Sequence, residues 1–254
     1  MIASETETAW YVYGVVPAHV DPVALAGAEG VGAERVELVS NGGVAAIVGR
    51  VPLDEFGEEP LRRNLERRDW LEATARAHDR VLAEALGHAP LVPLRFGTVY
   101  RSEQGVRDML DERAAELSEA IERLRGRIEL GVKAFLVEAQ EDATPPPSSG
   151  RDYLLRKQEA RAAASSVQAE AFESVRALHE RLESLADDAR VNPPQPPELS
   201  GRREPMLLNG AYLVGAERRP EFAAAVDECR DDRLELVVTG PWPPYNFVER
   251  EDPS

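Results

Sequence analysis

Ile128-Glu129-Leu130-Gly131-Val132-Lys133-Ala134-Phe135-Leu136-Val137 alternates apolar and polar residues and then turns wholly apolar. A strand does this when it passes from the edge of a sheet into its core. The change comes after a helical pattern closed by Gly126, so a domain boundary falls just before it. The chain divides into an N-terminal α+β domain, residues 1–126, and a C-terminal domain, residues 127–254, that holds a long helix and ends in a proline- and aromatic-rich tail.

Downstream, Glu141-Asp142-Ala143-Thr144-Pro145-Pro146-Pro147-Ser148-Ser149-Gly150 reads as a loop held extended by its prolines. Beyond it Leu154, Ala164, Val167, Ala171, Val175, Leu178, Leu182 and Leu185 keep a three-four rhythm, with charges of both signs on the remaining faces. A helix from about Asp152 to Ala186 spans roughly 50 Å at 1.5 Å per residue, so part of it is expected to project or to pack on the other domain. Coiled-coil pairing with another chain is the alternative; the alanine-rich start of the stripe favours packing within the chain. Asn192-Pro193-Pro194-Gln195-Pro196-Pro197 excludes helix and reads as an exposed hairpin loop ahead of the strand Met206-Leu207-Leu208-Asn209-Gly210-Ala211-Tyr212-Leu213-Val214. Pro220 suits the start of a helix on which Phe222, Val226 and Cys229 share a face, with Cys229 as a small buried hydrophobe. The succession strand, helix, short strand or loop near Val191, strand, helix, strand is the split βαβ order of a ferredoxin-like domain.

Its last strand, Leu234-Glu235-Leu236-Val237-Val238, runs into Thr239-Gly240-Pro241-Trp242-Pro243-Pro244-Tyr245-Asn246-Phe247. Prolines fix φ near −65° and remove donors, so this segment is stiff without being helix or sheet. Trp242, Tyr245 and Phe247 are thereby presented in fixed directions, either to pack on their own chain or to dock a partner.

In the N-terminal half, Trp10-Tyr11-Val12-Tyr13-Gly14-Val15-Val16 reads as a strand closed by Pro17. Arg35-Val36-Glu37-Leu38-Val39 and Val44-Ala45-Ala46-Ile47-Val48 form a hairpin around Ser40-Asn41-Gly42-Gly43, whose Asn-Gly pair suits positive φ. Trp70, Leu71, Thr74, Ala77, Val81, Leu82, Ala85 and Leu86 then lie on one helical face that should cover the sheet, ending near Gly87. His78 lies beside that stripe and, lacking a second ligand at helical spacing, is expected to cap or to face solvent. Leu91-Val92-Pro93-Leu94-Arg95-Phe96-Gly97-Thr98-Val99-Tyr100 is a strand interrupted by Pro93 and Gly97, hence an edge or bulged one. Arg95, inside that run, is expected to pair with a carboxylate or to cap carbonyls. Ser102 caps a helix carrying Val106, Leu110, Leu117, Ile121 and Leu124.

Composition narrows the function classes. With 46 acidic against 30 basic residues the formal charge is −16, which argues against nucleic acid or an anionic membrane surface as the main partner and leaves basic or apolar partners open. Of 254 residues 43% are hydrophobic, ample for a core, yet no apolar run approaches the roughly 20 residues of a membrane span. The single cysteine, Cys229, has no internal disulfide partner and no leader opens the chain, so a cytoplasmic location is expected. No phosphate loop, GxGxxG, HExxH, GxSxG or metal-spaced cysteine set occurs, and His19, His78, His88 and His179 are scattered. The chain carries no motif for an enzyme, a cofactor or a metal.

Five pieces together resemble the gas vesicle protein F/L family. They are Tyr11-Val12-Tyr13-Gly14-Val15-Val16, Leu91-Val92-Pro93-Leu94-Arg95-Phe96-Gly97-Thr98-Val99, Gly150-Arg151-Asp152-Tyr153-Leu154, Leu208-Asn209-Gly210-Ala211-Tyr212-Leu213-Val214, and the Thr239 to Phe247 segment, in matching order and spacing. The resemblance implies an N-terminal α+β domain and a C-terminal modified ferredoxin-like domain, and no enzyme activity. It implies a minor gas vesicle component or assembly factor that binds the small, very hydrophobic major shell protein, gas vesicle protein A, and other accessory proteins. Arg95, Phe96, Trp242, Tyr245 and Phe247 are then the candidates for a partner-binding or interdomain surface. A small-ligand-binding regulatory protein is the competing reading, by analogy with other ferredoxin-like domains. A hydrolase or transferase built on Arg95 is the third, and would need a pocket gathering Arg95 with a perturbed acid or histidine.

Overall fold

A computed structural model describes residues 7–25, 27–137 and 150–249, which form two compact units. Met1–Ile128 together with Trp242–Ser254 make the first, and Glu129–Pro241 the second. The fold class is α+β, each unit carrying its own sheet.

The first sheet starts from β1 (Thr8–Pro17), β2 (Val36–Asn41) and β3 (Val44–Pro52). β3 pairs antiparallel with both β1 and β2, and Asn41 faces Val44 across the expected turn, where Gly42 takes φ +60°. The register against β3 slips between Val12 and Gly14, leaving Tyr13 as a bulge. Two short helices, α1 (Leu53–Phe56) and α2 (Glu58–Leu65), lead to α3 (Arg68–Leu86), which buries Thr74, Ala77, His78, Val81, Leu82 and Ala85. Of these, Val81, Leu82 and Ala85 pack with Tyr11, Tyr13, Val16 and Ile47 in the core of this unit, where each fully buried Val, Leu or Ile side chain contributes about 1.5–3 kcal/mol.

The stretch from Leu91 to Tyr100 is broken where its Pro93 and Gly97 require. It supplies β4 (Val92–Pro93) and β5 (Val99–Tyr100), both antiparallel to β1, giving the order β2-β3-β1-β4 with β5 also on β1. Between them the Leu94 amide donates to Tyr13 O and the Val12 amide to Thr98 O, each at 2.9 Å, while Gly97 sits at φ +81°. Ser102 caps as expected, its Oγ accepting from the Gly105 amide at 3.1 Å. The single helix expected after it is two, α4 (Glu103–Glu112) and α5 (Ala114–Leu124). The break is at Arg113, whose φ of −105° and ψ of 12° leave the helical region while its guanidinium holds Glu116 at 2.5 Å.

In the second unit the elements are β6 (Arg127–Leu136), α6 (Gly150–Glu183), β7 (Asp188–Val191), α7 (Pro197–Ser200), β8 (Met206–Gly215), α8 (Arg219–Glu228) and β9 (Leu234–Trp242). The sheet order is β7-β8-β6-β9. α6 buries Ala171, Val175, Leu178 and Leu182, the later part of the stripe read from the sequence. The side chains of Leu154 and Ala164 in that stripe, and the proline loop before Gly150, lie outside what is described. Pro197 corrects one expectation: it is the first residue of the turn α7, a position that needs no amide donor. Cys229 corrects another, being half-buried at the end of α8 instead of enclosed.

Gly210 explains its motif. A Cβ there would stand 2.6 Å from the Tyr212 ring, and that ring is wholly buried, tilted against Phe222 with centroids 5.4 Å apart and its hydroxyl 2.9 Å from His179 Nδ1. Asn209 ties the neighbouring proline segment, its Nδ2 donating to Pro193 O at 2.9 Å.

The tail departs from the expected division. Trp242–Ser254 belongs with the first unit and not with the C-terminal domain to which its sequence position assigned it. The physical reason lies in the anchoring of its turn, Tyr245–Phe247: Phe247 is 1% exposed, and Arg123 of α5 donates to Phe247 O at 3.0 Å and to Val248 O at 2.7 Å.

Candidate functional site

β1 and α3 supply the floor of the site. Period-two alternation sends Tyr11 and Tyr13 to the same face of β1, and their rings meet at 4.8 Å. On α3, His78 stands four residues after Thr74 and four before Leu82, so the helix delivers it into the same core. The expectation that His78 caps or faces solvent is overturned: it is 1% exposed, with its ring 5.5 Å from Tyr13, 5.7 Å from Tyr11 and 5.7 Å from Phe96.

Polar atoms inside this aromatic box are arranged around one hydroxyl. Tyr11 Oη lies 3.0 Å from His78 Nδ1 and accepts from the Gly97 amide at 3.1 Å. The direction of this bond follows the imidazole tautomer: with the ring proton on Nε2 the phenol donates to Nδ1 while its oxygen keeps the Gly97 amide, so both partners of the hydroxyl are satisfied. Nε2 has no hydrogen-bond partner among the described residues. Burial pushes the His78 pKa down to about 4, so the ring is neutral at pH 7, and burial also pushes the Tyr11 hydroxyl up. Next to it, Tyr13 Oη donates to Glu34 Oε1 at 2.5 Å and accepts from the Val31 amide at 2.8 Å. Burial and the Glu34 carboxylate together raise the Tyr13 hydroxyl.

The tail closes the box. Tyr245 stacks on His78 at 6.5 Å and 23°, and its hydroxyl donates to Asp79 Oδ1 at 3.2 Å. Burial raises the Asp79 carboxyl, and the Tyr245 hydrogen bond works against that shift. Motifs separated by more than two hundred residues thus converge: Tyr11 and Tyr13, Phe96 and Gly97, and Tyr245.

The five candidate residues divide. Phe247 is buried and serves as anchor, and Phe96 is half-buried with its ring 6.4 Å from Tyr11. Trp242 and Tyr245 are 44% and 40% exposed, so they offer large aromatic surface to solvent. Arg95 does pair with a carboxylate, Glu249 at 3.8 Å, but its side chain is 92% exposed and gathers no buried acid. His78 is the functional candidate that motif reading missed, although its phase between Thr74 and Leu82 placed it on the buried face. Nearby, Trp70 donates to Glu55 Oε1 at 2.5 Å beside a groove of about 320 Å³ lined also by Val31, Thr74, Ala77 and Arg80. Among the described residues no three His, Cys, Asp or Glu side chains gather to hold a metal, and no helix is long and apolar enough to cross a membrane.

Comparison with known proteins gives a consistent result. The family model described as gas vesicle synthesis protein GvpL/GvpF matches residues 9–249. Gas vesicle protein L of Streptomyces sp. (strain CB03234) is 38% identical over 250 residues, covering 96% of this chain and 94% of that one. Gas vesicle protein F of the same strain is 31% identical over 257 residues, covering 94% and 99%. The crystal structure of gas vesicle protein GvpF from Anabaena sp. PCC7120 shares the fold, with a TM-score of 0.68 and 23% identity over 96% of this chain and 98% of that one. The match runs from β1 through both units to the tail that closes the aromatic box, and the chain belongs to the gas vesicle GvpL/GvpF family.

Proposed function

We propose that the protein binds the hydrophobic major shell protein, gas vesicle protein A, and other accessory proteins, as a chaperone or minor structural component during vesicle assembly. Membership of the family supports a role in gas vesicle formation. The observation that carries the finer reading is the exposure of Trp242 and Tyr245 on a segment that Phe247 and Arg123 hold in place. Rigid, partly exposed aromatics supply contact area at little entropic cost. The charge of −16 would keep a complex with an aggregation-prone apolar subunit dispersed, and makes nucleic acid and anionic membrane poor partners.

In this reading the protein acts by binding and not by catalysis, in the cytoplasm and at the vesicle. Chemistry centred on Arg95 finds no support, because that side chain and Glu249 both lie in solvent. The experiment is co-purification of the tagged chain with the major shell protein, followed by assay of washed, intact vesicles. Co-purification supports the binding role; retention on washed vesicles points to the structural form of it, and loss to the chaperone form. Small-ligand regulation has one observation in its favour, the groove beside Trp70, whose volume is at the low end for ligand sites. A thermal-shift ligand screen tests it.

A further inference from the structure

His78 raises a question that partner binding does not answer, since the protein encloses an imidazole whose Nε2 has no partner among the described residues and then lays the segment around Tyr245 across it. The groups facing the ring are few. β1 presents the neutral phenols Tyr11 and Tyr13, the latter backed by Glu34; α3 presents Asp79; the tail presents Tyr245; and the β4–β5 connection presents the uncharged Phe96 ring, its charged Arg95 being in solvent beside Glu249. Asp79 is already used as the acceptor of the Tyr245 hydroxyl. With the neutral ring protonated on Nε2, a second proton goes to Nδ1 and ends its acceptance of the Tyr11 hydroxyl, leaving a buried cation whose Nε2–H has no acceptor among the described residues, a costly arrangement. Of the elements packed on the ring, the tail is the one that can leave without opening a sheet. Its contacts include the Tyr245 stack and hydrogen bond, the buried Phe247 side chain, two carbonyls held by Arg123 and the solvent-exposed Arg95–Glu249 ion pair, and none of these is a strand ladder of the sheet.

We propose that residues 243–249 form a strap that is closed while His78 is neutral and released when His78 is protonated, exposing the imidazole, Phe96 and Phe247. This device is independent of what the exposed aromatics bind. The sign follows from linkage. His78 is held down to about 4 in the closed form and returns toward 6.5 when water reaches it, so closure is unaffected above 6.5 and weakens as the pH falls from 6.5 to 4. Full relief of that difference multiplies the opening constant by up to about 300. Asp79 acts in the opposite direction, because burial raises its carboxyl and the closed form therefore takes up its proton more readily. Asp79→Asn removes this opposition while leaving a carbonyl for the Tyr245 hydroxyl.

Amide hydrogen exchange on the intact chain, expressed as protection factors corrected for intrinsic rates, tests the strap between pH 7 and 4. The expected result is that protection of the tail amides falls by one to two orders of magnitude or more while β1 stays protected. The fall should be steeper in Asp79→Asn and absent in His78→Phe or, where that variant does not fold, His78→Gln. Tail protection that stays constant with pH overturns the proposal. So does an unchanged fall in the folded His78 variants, or a loss of β1 protection in step with the tail, which would mean that the whole unit unfolds.

Discussion

Tyr11 and His78, sixty-seven residues apart, share a hydrogen bond of 3.0 Å inside an aromatic box, and the same hydroxyl receives the Gly97 amide at 3.1 Å. One oxygen thus satisfies an imidazole and a backbone donor between two side chains that are almost wholly buried. Tyr11→Phe keeps the ring packing and strands both partners. The expected loss is about 1–3 kcal/mol of stability in the first unit, read as a lower denaturant midpoint with an unchanged slope. A loss below about 0.5 kcal/mol would show that the two groups find other partners.

The two aromatics at either end of the tail should behave differently. Phe247→Ala removes a wholly buried side chain and is expected to cost about 3 kcal/mol or more and to loosen the tail, whereas Trp242→Ala should change the melting temperature little. Thermal unfolding of the two variants, with limited proteolysis of the C-terminus, separates anchor from exposed surface.

His78 and Phe247 also mark the limit of what the chain discloses as a string. The Asn41-Gly42 turn, the Ser102 cap, the breaks at Pro93 and Gly97 and the late stripe of α6 are local, each set by a residue and its neighbours within a few positions. The convergence of Tyr11, His78, Gly97 and Tyr245 is not local, and no spacing encodes it. Phe247 is the clearest case, because the Arg123 that fixes its carbonyl is 124 residues away. Arg113 fails differently: the apolar stripe continues across it, so periodicity alone joined two helices that the backbone separates.

Gly210 gives a steric test in the second unit. Gly210→Ala places a Cβ against the buried Tyr212 ring at 2.6 Å and should cost about 1–3 kcal/mol by overpacking. Gly43→Ala, where a Cβ meets nothing within 4 Å, is the control and should be nearly neutral. Chemical denaturation of both variants checks the contrast.

Asp231 predicts an acid dependence for the second unit. Arg233 donates to it through Nε at 2.9 Å and Nη2 at 2.8 Å, Ser174 Oγ donates at 2.6 Å, and these bonds hold the carboxyl well below the usual carboxylate range. A carboxyl depressed on folding contributes stability that is present above its ordinary value of 3.8 and lost as the pH falls below it. Asp231→Asn should lower stability at pH 7 and flatten the dependence on pH below 4, measured by exchange protection of α6 and β9.

Binding to the shell protein through the tail is the central claim, and co-purification of Trp242→Ala/Tyr245→Ala with the major shell protein tests it most directly. With the double variant folded, the account predicts at least a tenfold loss of retained shell protein relative to the parent chain. Undiminished co-purification by the folded variant would contradict it.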